Sequence, residues 1–154
     1  MIVAIGYFII KSRLTTKEMH YHAGFQIYVN GQRQDYSDFR FMNLEPCSQD
    51  QKHDEDGQME KAHLHDNVGD VVHVHSQGAL WFDLFKNIKV SFDLRLSITA
   101  YVNGQLVEHI FERAIQPYDS VVIFVGSVDV TKLSDAVTKE HIIQVEQKSE
   151  SCGK

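Results

Sequence analysis

The chain has few cysteines and prolines, no run of basic residues and no long hydrophobic stretch. Only two of its 154 residues are cysteine, and their wide separation excludes a C-x-x-C redox motif and a cysteine-rich zinc site. Lys and Arg number 15 against 21 Asp and Glu and form no stripe, which argues against binding to nucleic acid. No apolar run approaches the roughly 20 residues that a membrane-spanning helix needs. These features predict a mildly acidic domain with an ordinary core.

The first ten residues are nevertheless apolar, and Lys11 and Arg13 follow them. Ten residues are too few to cross a bilayer, so segment 1–13 is interpreted either as the remnant of an N-terminal membrane anchor or as a first strand. The two positive charges resemble the flank of a stop-transfer segment and favour the anchor. On that interpretation the domain lies outside the cytoplasm and meets the membrane only through this segment.

Turn signals and apolar spacing predict an α+β fold built mostly from antiparallel hairpins. Asn-Gly pairs at 30–31 and 103–104 each indicate a tight hairpin turn, and the apolar run at 121–125 predicts a central strand. Apolar residues at helical spacing predict one short helix at about 80–88 and a second in the C-terminal region. The expected segments are a hairpin region at 18–46, an acidic flexible loop at 48–61, a core of hairpin, helix and hairpin at 62–130, and a helix with its tail at 134–154.

The most informative feature is the spacing of the histidines. Six of the nine form His-x-His pairs, which random placement would seldom produce: His20/His22, His63/His65 and His73/His75. Residues i and i+2 of a strand point to the same face, so each pair presents two imidazoles side by side. Because imidazole is the commonest metal ligand in proteins near neutral pH, these six residues predict a site for a divalent transition ion.

The turn between the last two pairs makes this prediction geometric. The sequence Asn67-Val68-Gly69 suits a three-residue hairpin loop that ends in a left-handed glycine. That loop pairs His63 with His73 and puts all four histidines on one face, with residues 62, 64, 72 and 74 facing the core. A two-residue loop would place the two pairs on opposite faces.

Zinc and copper(II) both suit such a site, whereas copper(I) would favour sulfur ligands, which are absent nearby. His20 and His22 would complete the site only if their strand pairs next to the hairpin. Asp66 and Asp70 flank the turn and would orient ligands from outside or cap the turn. The remaining histidines, His53, His109 and His141, are expected to have ordinary surface or core roles.

Two other function classes use the same residues. A metal-dependent hydrolase or hydratase would need an open coordination position and a base, for which Asp66, Asp70 and Glu112 are candidates. A pH-responsive interaction module would instead use repulsion among protonated imidazoles. Measuring the metal content would separate the two metal-dependent classes, binding and catalysis, from the pH-responsive module.

The segment AHLHDNVGDVVHVH at 62–75, followed by WFDLFKNI at 81–88, resembles an uncharacterised family of small His-rich proteins from uncultivated bacteria. The resemblance extends over most of the chain, including the surroundings of Cys47 and Cys152. It implies an exported, membrane-anchored protein. The sequence itself leaves the two cysteines either unpaired or joined in one disulfide, and beside this resemblance two lone cysteines favour the structural disulfide. Some members carry the label protein-disulfide isomerase, which makes thiol-disulfide chemistry a further alternative, although this chain lacks C-x-x-C. Residues 62–126 also resemble a β-grasp arrangement.

Overall fold

A mixed sheet of seven strands organises the chain in the computed structural model, which describes residues 19–43 and 57–149. The strands are β1 Tyr21–Val29, β2 Gln32–Arg33, β3 Ala62–His63, β4 Val71–Val74, β5 Ile98–Val102, β6 Gln105–Val107 and β7 Ser120–Val125. Their order in the sheet is β3-β4-β1-β7-β5-β6, with β2 paired to β1. All neighbouring strands are antiparallel except β1 and β7, which are parallel.

Three α-helices accompany the sheet in the described part of the chain: α1 Gln58–Lys61, α2 Trp81–Asn87 and α3 Lys139–Ser149. The predicted α+β class and both predicted helices are confirmed. The expected loop at 48–61 differs at its end, because its last four residues form α1. The segment 1–13, both cysteines and residues 48–56 lie outside the described residues. No helix in the described ranges is long and apolar enough to span a bilayer.

Both Asn-Gly turns have the predicted geometry. Asn30 and Gly31 have φ of 48° and 81°, and Asn103 and Gly104 have φ of 51° and 77°. Two consecutive positive φ angles match the right-handed twist of the strands in a two-residue hairpin. The turns therefore connect β1 to β2 and β5 to β6 without an intervening loop.

Strand β1 is more central than its alternating sequence predicts. The alternation indicates a half-buried strand with His20 and His22 on a polar face, but β1 is buried on both faces over 21–28. The reason is that β1 lies between β4 and β7, while α3 packs against the sheet at this strand. The same insertion changes the β-grasp arrangement expected for 62–126, because the final strand β7 pairs with β1 and not with β4.

The two faces of the sheet are covered differently. The main core fills the face that packs against α2, where Trp81, Leu84, Phe85 and Ile88 are all buried as the helical spacing predicts. On the opposite face Ile142 and Val145 of α3 form a smaller cluster with Val71 and with Val137, which lies just before the helix. Gly24 of β1 permits this contact, since a Cβ there would lie 2.5 Å from the Cβ of Val137. Helix α3 is thereby held beside the histidine-bearing strands.

Candidate metal centre

The register of the β3–β4 hairpin is the one the turn predicts. His63 lies opposite His73, and Ala62 lies opposite Val74. The side chains of the alternate positions 62, 64, 72 and 74 are buried in the main core. The histidines of this hairpin therefore share the other face of the sheet, the face that α3 partly covers.

The turn itself differs in detail from the prediction. The left-handed residues are Asp66 and Asn67, with φ of 57° and 58°, and Gly69 is not among the residues with positive φ. Gly69 is instead needed for close packing, because a Cβ there would lie 2.3 Å from the backbone nitrogen of Ser37 and 2.4 Å from the carbonyl carbon of Tyr36. The loop is pressed against residues 36–37, which fixes the position of His65 at its start.

Strand β1 and the residue just before it add the remaining His-x-His pair to the hairpin. His22 lies directly opposite His73 on the second side of β4, so His22, His73 and His63 form a row across three neighbouring strands. Residues opposite each other on neighbouring strands have side chains close enough to interact. The condition stated for His20 and His22, that their strand pairs next to the hairpin, is therefore met.

His73 is the centre of the resulting six-histidine cluster, defined as His20, His22, His63, His65, His73 and His75. Its ring centroid lies within about 5 Å of the other five rings: 4.2 Å from His20, 4.5 Å from His22, 5.1 Å from His63, 4.3 Å from His65 and 4.4 Å from His75. His22, His63 and His73 are at most 3% exposed. The centre of the cluster is thus shielded from water.

The nitrogen atoms of three of these rings point toward one another. Nδ1 of His73 lies 3.0 Å from Nε2 of His22 and is also in close contact with Nε2 of His65. A single proton on Nδ1 of His73 satisfies only one of these two contacts, because the hydrogen is directed at one acceptor. The Nε2 atom of the other ring then directs its lone pair at the N–H of His73, which already donates its hydrogen to the first ring. A bound cation would accept the lone pairs directly.

Acceptors outside the cluster set the tautomers of the surrounding rings. Nδ1 of His63 donates to the carbonyl oxygen of Met59 at 2.9 Å, and Nδ1 of His65 donates to a carboxylate oxygen of Asp66 at 2.7 Å. With its proton on Nδ1, each ring presents the lone pair of Nε2. Such outer acceptors are the usual partners of metal-binding histidines, because they orient the ring and make the ligating nitrogen more basic.

His22 has a similar outer group on helix α3. Its Nδ1 is buried without a hydrogen-bond partner among the described residues, and Oε1 of Glu146 lies 4.0 Å away. The second carboxylate oxygen of Glu146 accepts a hydrogen bond of 2.9 Å from the hydroxyl of Tyr118. A small rotation of either side chain would join His22 to this carboxylate while Nε2 continues to face His73.

Burial keeps the central rings neutral. Removal from water, reinforced by the neighbouring histidines, lowers the pKa of His22 to about 3. Burial likewise lowers the pKa of His63 to about 4, against the opposing effect of its bond to the Met59 carbonyl. The pKa of His73 is also well below its ordinary value, for the same reason as that of His22. Neutral imidazole is the form that binds metals.

In the described part of the chain, two three-histidine groups could hold an ion. One consists of His20, His22 and His73, the other of His63, His65 and His73, and the ligand nitrogens within each group lie within 4.8 Å of one another. Zinc–nitrogen bonds of about 2.0–2.1 Å in a tetrahedron put the nitrogens about 3.3 Å apart. Side-chain rotations that change the nitrogen separations by at most about 1.5 Å would therefore bring three ligands of each group to this geometry.

Asp70 takes a different role from Asp66. Its carboxylate accepts from Nε2 of His141 at 3.1 Å and from Arg33 at 3.4 Å, and all three side chains line a cleft of about 520 Å³ between the loop and α3. Of the two carboxylates predicted to orient ligands, Asp66 contacts a cluster histidine and Asp70 contacts His141. Glu112, the third candidate base, is exposed on a short helix that packs against α2.

Glu146 and Tyr118 are the residues that the sequence analysis did not identify as part of the site. The apolar spacing in α3 indicates which side of the helix meets the sheet, and Glu146 directly follows the buried Val145. That neighbourhood hints at a position near the edge of the buried face. It contains no sign that this face would meet β1 at His22.

Comparisons with known protein families, with curated proteins and with solved structures find no match to this chain.

Proposed function

We propose that the protein binds a divalent transition ion, zinc or copper(II), through the six-histidine cluster. The observation that carries the proposal is the convergence of the Nε2 atoms of His22 and His65 on Nδ1 of His73 in a buried, neutral environment. Six imidazoles without a cysteine or methionine among them suit either ion, and copper(II) would bind the more tightly.

The outer groups support this proposal over a merely structural histidine cluster. Histidines that only fill space need no particular tautomer, whereas His63 and His65 each have Nδ1 held by an acceptor outside the cluster. The Nε2 lone pairs are thereby directed inward. This arrangement is already ordered for a ligand, so binding would require only small side-chain rotations.

The test is metal binding by the full chain purified without a polyhistidine tag. After treatment with a chelator, titration calorimetry with zinc and with copper(II) at pH 7 should show affinity in the micromolar range or tighter. His73→Ala should weaken binding at least a hundredfold, since it removes the residue common to both three-histidine groups.

His109→Asn provides the matched control, because His109 lies outside the cluster and its left-handed backbone, with φ of 52°, suits asparagine. Circular dichroism of each variant separates loss of binding from loss of folding, and His63→Asn offers a second variant if His73→Ala does not fold. Absence of micromolar binding by the folded wild-type protein would contradict the proposal.

A further inference from the structure

The two three-histidine groups share one residue, and this sharing limits how they can be filled. His73 belongs to both groups, while His20 and His22 belong only to the first and His63 and His65 only to the second. We refer to them as the β1 triad, His20, His22 and His73, and the β3 triad, His63, His65 and His73. Resting on the proposed metal binding, we propose that the triads are alternative positions of a single ion, which passes between them while His73 remains its ligand.

Both triads depend on the same nitrogen of His73. The same atom, Nδ1, faces Nε2 of His22 in the β1 triad and Nε2 of His65 in the β3 triad. One nitrogen has one lone pair in the plane of the ring and can bind one ion. An ion in either triad therefore occupies the lone pair that the other triad would require.

Repulsion between two divalent ions disfavours filling both triads at once. All five ligands of the two triads are imidazoles, and the carboxylates of Asp66 and Glu146 lie outside them, against His65 and beside His22. Two divalent ions repel each other four times as strongly as two unit charges at the same distance. The rings of His22 and His65 lie only 4.5 Å and 4.3 Å from that of His73, centroid to centroid. Among the described residues, no anionic ligand lies between the two positions to offset this repulsion. Occupancy by one ion is favoured.

His75 gives the ion a path between the two positions. His75 lies next to both triads, with its ring centroid 5.2 Å from that of His20 and 5.4 Å from that of His63. Zinc and copper(II) take four or more ligands, so an incoming imidazole can bind before an outgoing one leaves. In the transfer the bonds to His20 and His22 break and bonds to His63 and His65 form, with no change in charge or oxidation state. The cluster thus suits a protein that accepts an ion and hands it on.

The experiment uses copper(II) as the probe in the full chain, with two double variants. His20→Ala/His22→Ala leaves the β3 triad, and His63→Ala/His65→Ala leaves the β1 triad. Native mass spectrometry should show one ion per chain in the wild type and in each double variant. Electron paramagnetic resonance of the wild type should show two superimposed copper signals, each matching the signal of one double variant. The single variants His22→Asn and His65→Asn should each shift the wild-type mixture toward one signal.

Several results would overturn the inference while leaving metal binding intact. Two ions per chain would show that the triads fill together. A single wild-type signal unlike that of either double variant, or loss of binding in a folded double variant, would show one composite site. Absence of copper from the wild type itself would instead contradict the proposed function. His109→Asn, with the cluster unchanged, should reproduce the wild-type signals and stoichiometry.

Discussion

Oε1 of Glu146 lies 4.0 Å from Nδ1 of His22, while Nε2 of the same ring faces His73 at 3.0 Å. The two nitrogens of one imidazole thus connect helix α3 to the centre of the histidine cluster. A carboxylate in this position favours the tautomer with the proton on Nδ1 and leaves Nε2 free for a metal. The hydroxyl of Tyr118 holds the other carboxylate oxygen, which limits the rotation of Glu146.

Glu146→Gln should therefore weaken metal binding without removing it. The amide still accepts a hydrogen bond but has no charge, so we expect an affinity about tenfold lower, within the range seen for groups behind metal-binding histidines. Competition with a chelating dye measures this difference. Glu140→Gln is the matched control, because Glu140 is exposed in the first turn of the same helix. Equal affinities for the two variants would show that Glu146 does not act on His22.

Asp66 and Asp70 should respond differently to the same substitution. Asp66→Asn removes the charge that holds Nδ1 of His65 while keeping a residue that tolerates its left-handed backbone, and it should lower metal affinity about tenfold. Asp70→Asn removes the charge that attracts His141 and Arg33 and should leave metal affinity unchanged. Because those partners are 44% and 50% exposed, its effect on stability should stay below about 1 kcal/mol. The reverse order of affinities would place the ion on the cleft side of the loop.

Much of this geometry could be predicted because it is local. The Asn-Gly turns depend on two residues each, and the β3–β4 register follows from the need to bury positions 62, 64, 72 and 74 on one face. Alternation along a strand predicts its faces and leaves its neighbours undetermined. The pairing of His22 with His73, 51 positions apart, and the parallel pairing of β1 with β7 are therefore not predictable from pattern alone.

Glu146 was not predicted for the same reason, because its position depends on contacts between distant parts of the chain. Glu146 reaches His22 only because Gly24 allows Val137 and Ile142 to approach β1. A glycine in a strand often marks a close approach of another element, but it does not identify that element. The sequence likewise predicts a loop at 67–69 with the left-handed conformation at Gly69, whereas that glycine is required by packing against Tyr36 and Ser37.

The metal-free protein should lose stability below pH 6.5. His22 and His63 have folded-state pKa values of about 3 and 4, and that of His73 is also lowered. In the unfolded chain these three residues take up protons below the ordinary histidine pKa of 6.5, whereas in the folded protein they stay neutral until the pH approaches 4. Stability falls as the pH decreases through this interval, by about 2 kcal/mol per affected histidine between pH 7 and pH 5.

Urea unfolding at the two pH values, after removal of metal, measures this loss. Saturating zinc should raise the free energy of unfolding at pH 7, because the assembled cluster binds zinc more tightly than the unfolded chain does. His109→Asn, which changes a histidine outside the cluster, should leave the pH dependence as it is in the wild type. A free energy of unfolding that is equal at pH 7 and pH 5 would mean that the central rings remain open to protons in the folded protein.

Gly24→Ala should disturb stability and metal binding together. The added Cβ would lie 2.5 Å from Cβ and 2.6 Å from Cγ1 of Val137, which forces α3 away from the sheet. Overpacking of this kind costs about 1–3 kcal/mol in the free energy of unfolding, and displacement of α3 carries Glu146 away from His22. We expect metal affinity to fall, as it does in Glu146→Gln, when it is measured on the fraction that remains folded.

Adding Val137→Ala removes the Cγ1 contact and should restore part of the stability and part of the metal affinity. If Gly24→Ala lowers stability while metal affinity is unchanged, the packing of α3 and the orientation of His22 are independent.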